Sequence, residues 1–453
     1  GHEVKISGIA YDSYYRAPWT ASTTASVYDT HVMNNTITGS YKYSRPEDRI
    51  FDYAVTAYWN ESNTDQKNVQ PASAIGRYRN FNIDTKGFDA NNTSRFDTGP
   101  VRHAVTYGGD FFKDDVLVTD PYSTAALFTP SGERTVSGGF AQLRSNYSTW
   151  LEVITGVRYD QYNLSGGGSS SSGSRVSPKA TVGITPIRWF TVYGTYAEGY
   201  RAPAVTETLV TGTHPPSGLP IFTCADGTIG LFCFLPNPNL RPEVGKNKEV
   251  GVNIREDDLF APGDKLRIKA NWFRNDVSDF IEGVNYGPSV FVPGFGTLYK
   301  FFQYQNIANA KLQGYEWEGT YDAGVWFIGL SGHRIRGNNV ETNAPLRTVP
   351  PDMIATTVGA RFFDRKLTAL VRWQSVAGKD ANSVPAGTTP VSSYELVGLY
   401  FGWQFRPNAV ASFSVDNLLD NYYIRYLDGI PSAGRTFKAG LKVQFSDETF
   451  KGG

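Results

Sequence analysis

The sequence predicts an all-β protein, an antiparallel transmembrane β-barrel of about 18 strands, and three observations lead there. The first is composition: 9 Trp, 27 Tyr, 28 Phe and 46 Gly stand against 2 Cys and 2 Met in 453 residues. That mixture suits strands with aromatic girdles and tight turns better than helices. The second is a strict alternation of apolar and polar side chains over runs of about ten residues, the length a tilted strand needs to cross a hydrocarbon layer. The third is an alternation of short turns with long polar loops, which gathers the short turns at one end.

Taken in order, Gly1 to Asp12 already reads as a strand. No signal peptide precedes it, so the natural N-terminus is expected upstream. After the turn Arg45-Pro46-Glu47-Asp48, Phe51, Tyr53, Val55, Ala57 and Trp59 line one face and Asp52, Ala54, Thr56, Tyr58 and Asn60 the other. Later, Leu266, Ile268, Ala270 and Trp272 oppose Arg267, Lys269 and Asn271. In the final strand, near 435–445, Phe437, Ala439, Leu441, Val443 and Phe445 oppose Thr436, Lys438, Gly440, Lys442 and Gln444. Further short turns fall at 98–100, 186–188, 322–324, 364–366 and 406–408, marked by Gly, Pro, Asn or Asp or by charged residues. Long loops are expected near 61–75, 114–133, 163–175, 201–245, 282–298, 337–350, 378–392 and 418–434. The Gly/Ser run 165–174 reads as a flexible loop tip rather than a linker. Residues 1–445 are therefore expected to form one partial barrel, with 446–453 as a C-terminal tail.

Composition also excludes. The mean hydropathy is negative and no apolar run approaches the roughly eighteen residues of a spanning helix, whereas a barrel shows lipid only one face of each strand. The 43 basic and 43 acidic residues cancel and are scattered, which argues against nucleic acid as a partner. No HExxH, Walker loop, GxSxG elbow or CxxC pair occurs, so neither an enzyme nor a nucleotide site is expected. Cys224 and Cys233, nine positions apart in a Gly- and Pro-rich stretch, read as a loop disulfide of an oxidising compartment, the alternative being two free thiols.

Lumen-facing charges form a solvated wall by default, and aromatics near strand ends, such as Trp189, Phe190 and Trp403, read as interface anchors. Of the five histidines, His2, His31, His103 and His333 have bland settings in or beside strands. His214 differs because it lies in the longest loop, ahead of Pro215-Pro216, which stiffen the backbone. Imidazole is an axial ligand for haem iron, although chemistry alone favours a solvated loop residue.

The flanking segments alter that reading. Tyr200-Arg201-Ala202-Pro203 closes one strand and Asn237-Pro238-Asn239-Leu240 opens the next. They resemble the paired FRAP-like and NPNL-like boxes of TonB-dependent haem and haemoglobin receptors, with Tyr200 where Phe is common. Residues 92–97 with 102–110, 306–316 and 415–423 are similar to other segments of TonB-dependent receptors. The resemblance implies a bacterial outer-membrane protein that transports haem as its ligand, with His214, the one histidine between the boxes, on the iron. It implies about 22 strands and an N-terminal plug, so the plug, its contact with the TonB complex and about four strands are expected upstream of Gly1. The outside partner is free haem or a haemoprotein, and the surrounding partner is outer-membrane lipid. Phe222, Phe232 and Phe234 would either meet the porphyrin or pack the loop around the cysteines. Arg201, Asn237, Asn239 and Arg241 are expected to fix loop geometry rather than touch haem. Two alternatives stay open: a siderophore or cobalamin receptor of the same architecture, and a passive 18-stranded solute porin.

Overall fold

A computed structural model of the chain describes residues 1–18, 27–70, 75–120, 130–213, 221–225, 227–292, 296–385 and 388–445. The tail 446–453 lies outside the described residues. The chain divides into two compact units: one of residues 1–182, 195–247 and 276–310, the other of 183–194, 248–275 and 311–453.

The first unit begins with β1 (His2–Pro18), β2 (Val27–Ser44), β3 (Asp52–Gln70), β4 (Tyr78–Thr98), β5 (Val101–Thr119), β6 (Gly132–Tyr147) and β7 (Leu151–Gly166), each antiparallel to the next. Then come β8 (Ser169–Ile187), β9 (Phe190–Arg201), helix α1 (Val205–Leu209) and four short strands, β10 (Gly212–Thr213), β11 (Phe222–Thr223), β12 (Ile229–Gly230) and β13 (Cys233–Leu235). Three long strands, β14 (Glu243–Asp257), β15 (Lys265–Val292) and β16 (Gly296–Asp322), follow, and these, like β8 and β9, have residues in both units. β9 pairs with β14, so the segment between them returns to a neighbouring strand.

Register explains why these residues form a sheet with two unlike faces. Gly8, Ile37, Trp59 and Lys86 are lateral neighbours, as are Ala57, Phe88 and Phe111. On this face Ile37, Val55 and Phe88 stay exposed, as side chains must that meet lipid instead of a packed core. The opposite face carries Lys42, Ser40, Thr38 and Thr36 against Ala54, Thr56, Tyr58 and Asn60. On it, Arg158 joins Asp110 at 2.8 Å and Asp160 at 2.7 Å.

The second unit contains β17 (Trp326–Asn339), β18 (Met353–Phe362), β19 (Leu367–Val376), β20 (Tyr394–Arg406), β21 (Ala409–Asp416) and β22 (Thr436–Val443), antiparallel in sequence order. Trp326, Ile328 and Leu330 face Ala360, Val358 and Thr356 on its apolar side. Its short turns are held by carboxylates: Asp322 accepts the Gly324 N–H at 2.8 Å and both its oxygens receive the Arg361 guanidinium. Its longer connections are irregular, and buried Lys379 donates to the Val349 carbonyl at 2.5 Å.

Eighteen of the described strands are eight residues or longer, as the alternation predicts. The loops differ from expectation. Most of the described residues within 61–75, 114–133, 163–175 and 282–298 are strand, and 165–174 is a hairpin turning at Gly167 and Gly168, both at positive φ. Beyond Trp59 both faces are polar, Glu61, Asn63 and Asp65 on one and Ser62, Thr64 and Gln66 on the other. Hydropathy then has no period to show, while the backbone ladder continues. Two further short turns lie at 148–150 and 258–264.

Candidate functional site

The segment between β9 and β14 belongs to the first unit and is built on the polar face of β6 and β7. Val205 and Leu209 of α1 pack with Tyr162 and Leu164 in a buried cluster that Tyr200 and Ala202 flank. Two glycines permit that approach: a Cβ on Gly132 would lie 3.1 Å from Val205 and one on Gly166 only 2.6 Å from Leu209. The helix starts at Ala204, whose N–H donates to Glu207 Oε2 at 2.8 Å, a local closure that Glu in the first turn favours.

Arg201 ties three elements together. Its Nε and Nη2 donate to the two oxygens of Glu243, each at 2.7 Å, and its Nη1 reaches both oxygens of Glu207 at 2.9 and 3.0 Å. Glu243 Oε1 also accepts the Ile281 N–H of β15 at 2.8 Å. Pro203, two residues on, is fully buried. The Tyr200 ring lies 6.3 Å from that of Tyr162, and its buried hydroxyl has no hydrogen-bond partner among the described residues.

The second box is anchored as firmly. The Asn237 N–H donates to the Thr208 carbonyl at 2.9 Å, its Nδ2 to the Tyr304 carbonyl at 2.9 Å, and its Oδ1 accepts the Asn239 N–H at 3.2 Å. Pro238 lies inside this turn, and Leu240 is buried beyond it. Asn306 clasps the Arg241 backbone at N–H and carbonyl, both 2.8 Å, and the Arg241 guanidinium donates to Asp279, a hydrogen bond that, with the carboxylate's charge, raises the arginine pKa.

Cys224 and Cys233 form a disulfide. Phe222 is buried, and Phe232 and Phe234 pack on each other and on Phe302 at centroid distances of 5.1 to 5.7 Å, so these rings pack the bridge region. β13 runs parallel to β16 with Cys233 beside Phe301, and antiparallel to β10 with Cys233 opposite Thr213. His214 follows Thr213 and lies outside the described residues. The other histidines have local partners: His2 meets the Tyr41 hydroxyl, His31 Asp12, His103 Thr98 and Ser145, and His333 the Pro351 carbonyl. Among the described residues no group of three His, Cys, Asp or Glu could hold a metal ion.

The structure thus draws the two boxes onto one scaffold. It adds Glu207, Asp279, Tyr162 and Tyr304, which no local motif marks, and Asn306, which opens a receptor-like segment.

An antiparallel sheet of long strands with an exposed apolar face, and a large loop folded onto its polar face, defines an integral β-barrel protein of the outer-membrane type. The TonB dependent receptor-like, β-barrel family matches residues 5–418, and the chain belongs to that family of outer-membrane receptors, which are transporters and not enzymes. The hemin receptor of Yersinia enterocolitica is 28% identical over 372 residues, covering 80% of this chain and 52% of that protein. Heme/hemopexin utilization protein C of Haemophilus influenzae is 29% identical over 314 residues, covering 65% and 42%. The fold matches that of the Serratia marcescens hemophore receptor HasR, solved as a double mutant with its hemophore HasA and heme, at a TM-score of 0.76 and 23% identity over 98% of this chain and 69% of that one. The chain spans about half the length of the curated relatives it matches.

Proposed function

We propose that the protein takes haem up across the outer membrane in a TonB-dependent manner, with His214 as an axial ligand of the haem iron on the outside. The observation that carries this reading is the similarity to a hemin receptor across 80% of the chain, which includes both boxes and the loop between them. The geometry supports it. The Arg201 and Asn237 side chains bond to the elements that flank the loop, an arrangement that suits the boxes to bracing the segment between them. An iron bond from His214 and apolar contact with the porphyrin faces would supply affinity.

The barrel itself performs no covalent step. Passage needs energy, which the TonB complex would deliver from the inner membrane through a segment of the whole receptor other than this barrel. Haem, free or carried by a haemoprotein, is the outside partner on this reading.

The test is growth of a haem-requiring bacterium on haemin, with the full-length gene supplied in tonB-positive and tonB-negative backgrounds. Growth only in the first is expected. Growth in both would indicate a passive pore, and failure in both alongside uptake of a ferric siderophore would replace haem as cargo.

A further inference from the structure

A second surface of the first unit lies apart from the β9–β14 loop. Tyr14, His31, Asp65 and Asn80 form one lateral row across β1 to β4. In each strand that row is six residues from the row Gly8, Ile37, Trp59 and Lys86, away from the short turn at Asp48. An even spacing keeps both rows on the apolar, outward face. Trp59 ends the apolar band there, donating from its indole to Asp84 at 2.5 Å, as an interfacial Trp does at the edge of hydrocarbon. Six residues of strand rise about 20 Å, or about 15 Å along the membrane normal at the usual tilt. The polar headgroup zone is only about 5–8 Å thick on each side. The Tyr14 row therefore stands outside the barrel wall and above the headgroups.

At that height the structure has a cavity of about 640 Å³ lined by Tyr14, Arg16, His31, Asp65, Lys67 and Tyr78 among others. The Tyr14 ring lies flat on His31, centroids 3.8 Å apart and planes 11° apart, yet Tyr14 remains 74% exposed. His31 Nε2 is fixed by Asp12 at 3.1 Å, and Asn80 Nδ2 donates to Asp65 at 2.8 Å. Tyr78 presents a second exposed ring. A braced, open aromatic plate bordered by carboxylates and amides matches a sugar ring, which offers an apolar C–H face to stack and hydroxyls to bond at its edge.

Charge decides against an anionic headgroup. Arg16 is committed to both oxygens of Asp29, and two cations, Arg16 and Lys67, face three carboxylates, Asp12, Asp29 and Asp65. What surrounds an outer-membrane barrel at this height is the oligosaccharide of the outer-leaflet glycolipid. We propose that the Tyr14–His31–Tyr78 surface binds a neutral sugar of that oligosaccharide, seating the receptor in its own membrane surface.

The probe is core oligosaccharide released from lipopolysaccharide by mild acid, titrated into the full-length receptor in detergent and followed by saturation-transfer NMR. The parent should bind, and Tyr14→Ala should weaken binding up to about tenfold, the worth of one aromatic stack. Tyr14→Phe, which keeps the ring, should bind like the parent and controls for folding. Binding of phosphorylated lipid A vesicles but not of the oligosaccharide would overturn the proposal. So would an unchanged affinity in Tyr14→Ala, or a loss of haemin absorbance rather than of sugar binding in that variant.

Discussion

Arg201 and Glu243 are joined by two parallel hydrogen bonds of 2.7 Å, which clamp the end of β9 to the start of β14 across the base of the longest loop. A fork of this kind is directional, and lysine cannot replace it. Arg201 is part exposed, so Arg201→Lys should cost only about 1–2 kcal/mol of stability. Its local effect should be larger: limited proteolysis should cut between residues 204 and 240 faster than in the parent while the long strands stay resistant.

Tyr200 gives a prediction of opposite sign. Its ring packs with Tyr162, whereas its buried hydroxyl has no partner among the described residues. Tyr200→Phe should therefore be neutral or stabilise by up to about 1 kcal/mol, read as the urea midpoint of the refolded barrel. A clear loss would mean that the hydroxyl has a bonding partner.

Gly166 allows Leu209 to reach the sheet, and an added methyl would sit 2.6 Å from its Cδ1. Gly166→Ala should cost about 1–3 kcal/mol by overpacking against Leu209 and the Ser131 carbonyl, and the pair Gly166→Ala with Leu209→Ala should lose less than the sum of the two single losses. Urea titration of the single and double variants reads the coupling.

The turn 258–264 should respond to acid. Burial pushes the Asp264 carboxyl up, but the Tyr321 hydroxyl and the N–H groups of Phe260, Ala261 and Leu259 outweigh it and hold it below 3.8. A depressed folded value stabilises the turn above the unfolded value and ceases to do so as pH falls through the folded one. Hydrogen-exchange protection of Leu259, Phe260 and Ala261, corrected for intrinsic rates, should hold from neutrality to about pH 4 and fall below it. Asp264→Asn should abolish that dependence.

Strand count and polarity of the faces were legible because lipid and water impose a period of two where the wall crosses the membrane. Above Trp59 water meets both faces, so β3 and β4 run on without a hydropathy signal and read as loops. The boxes were legible as a resemblance and as Pro/Asn turn chemistry. Their partners were not, since Asp279 lies 38 positions from Arg241 and Tyr304 lies 67 from Asn237, contacts that only the pairing of distant strands brings about. Phe232 and Phe234 could serve a ligand or the loop on sequence grounds, and it is Phe302, on a distant strand, that holds them in the loop.

The most direct test of haem as cargo is a haemin titration of the purified full-length receptor and its His214→Ala variant, followed at the Soret band. Saturable binding with a histidine-ligated spectrum in the parent, weakened and spectrally changed in the variant, is the predicted result. Identical affinity and spectrum in the two proteins would contradict it.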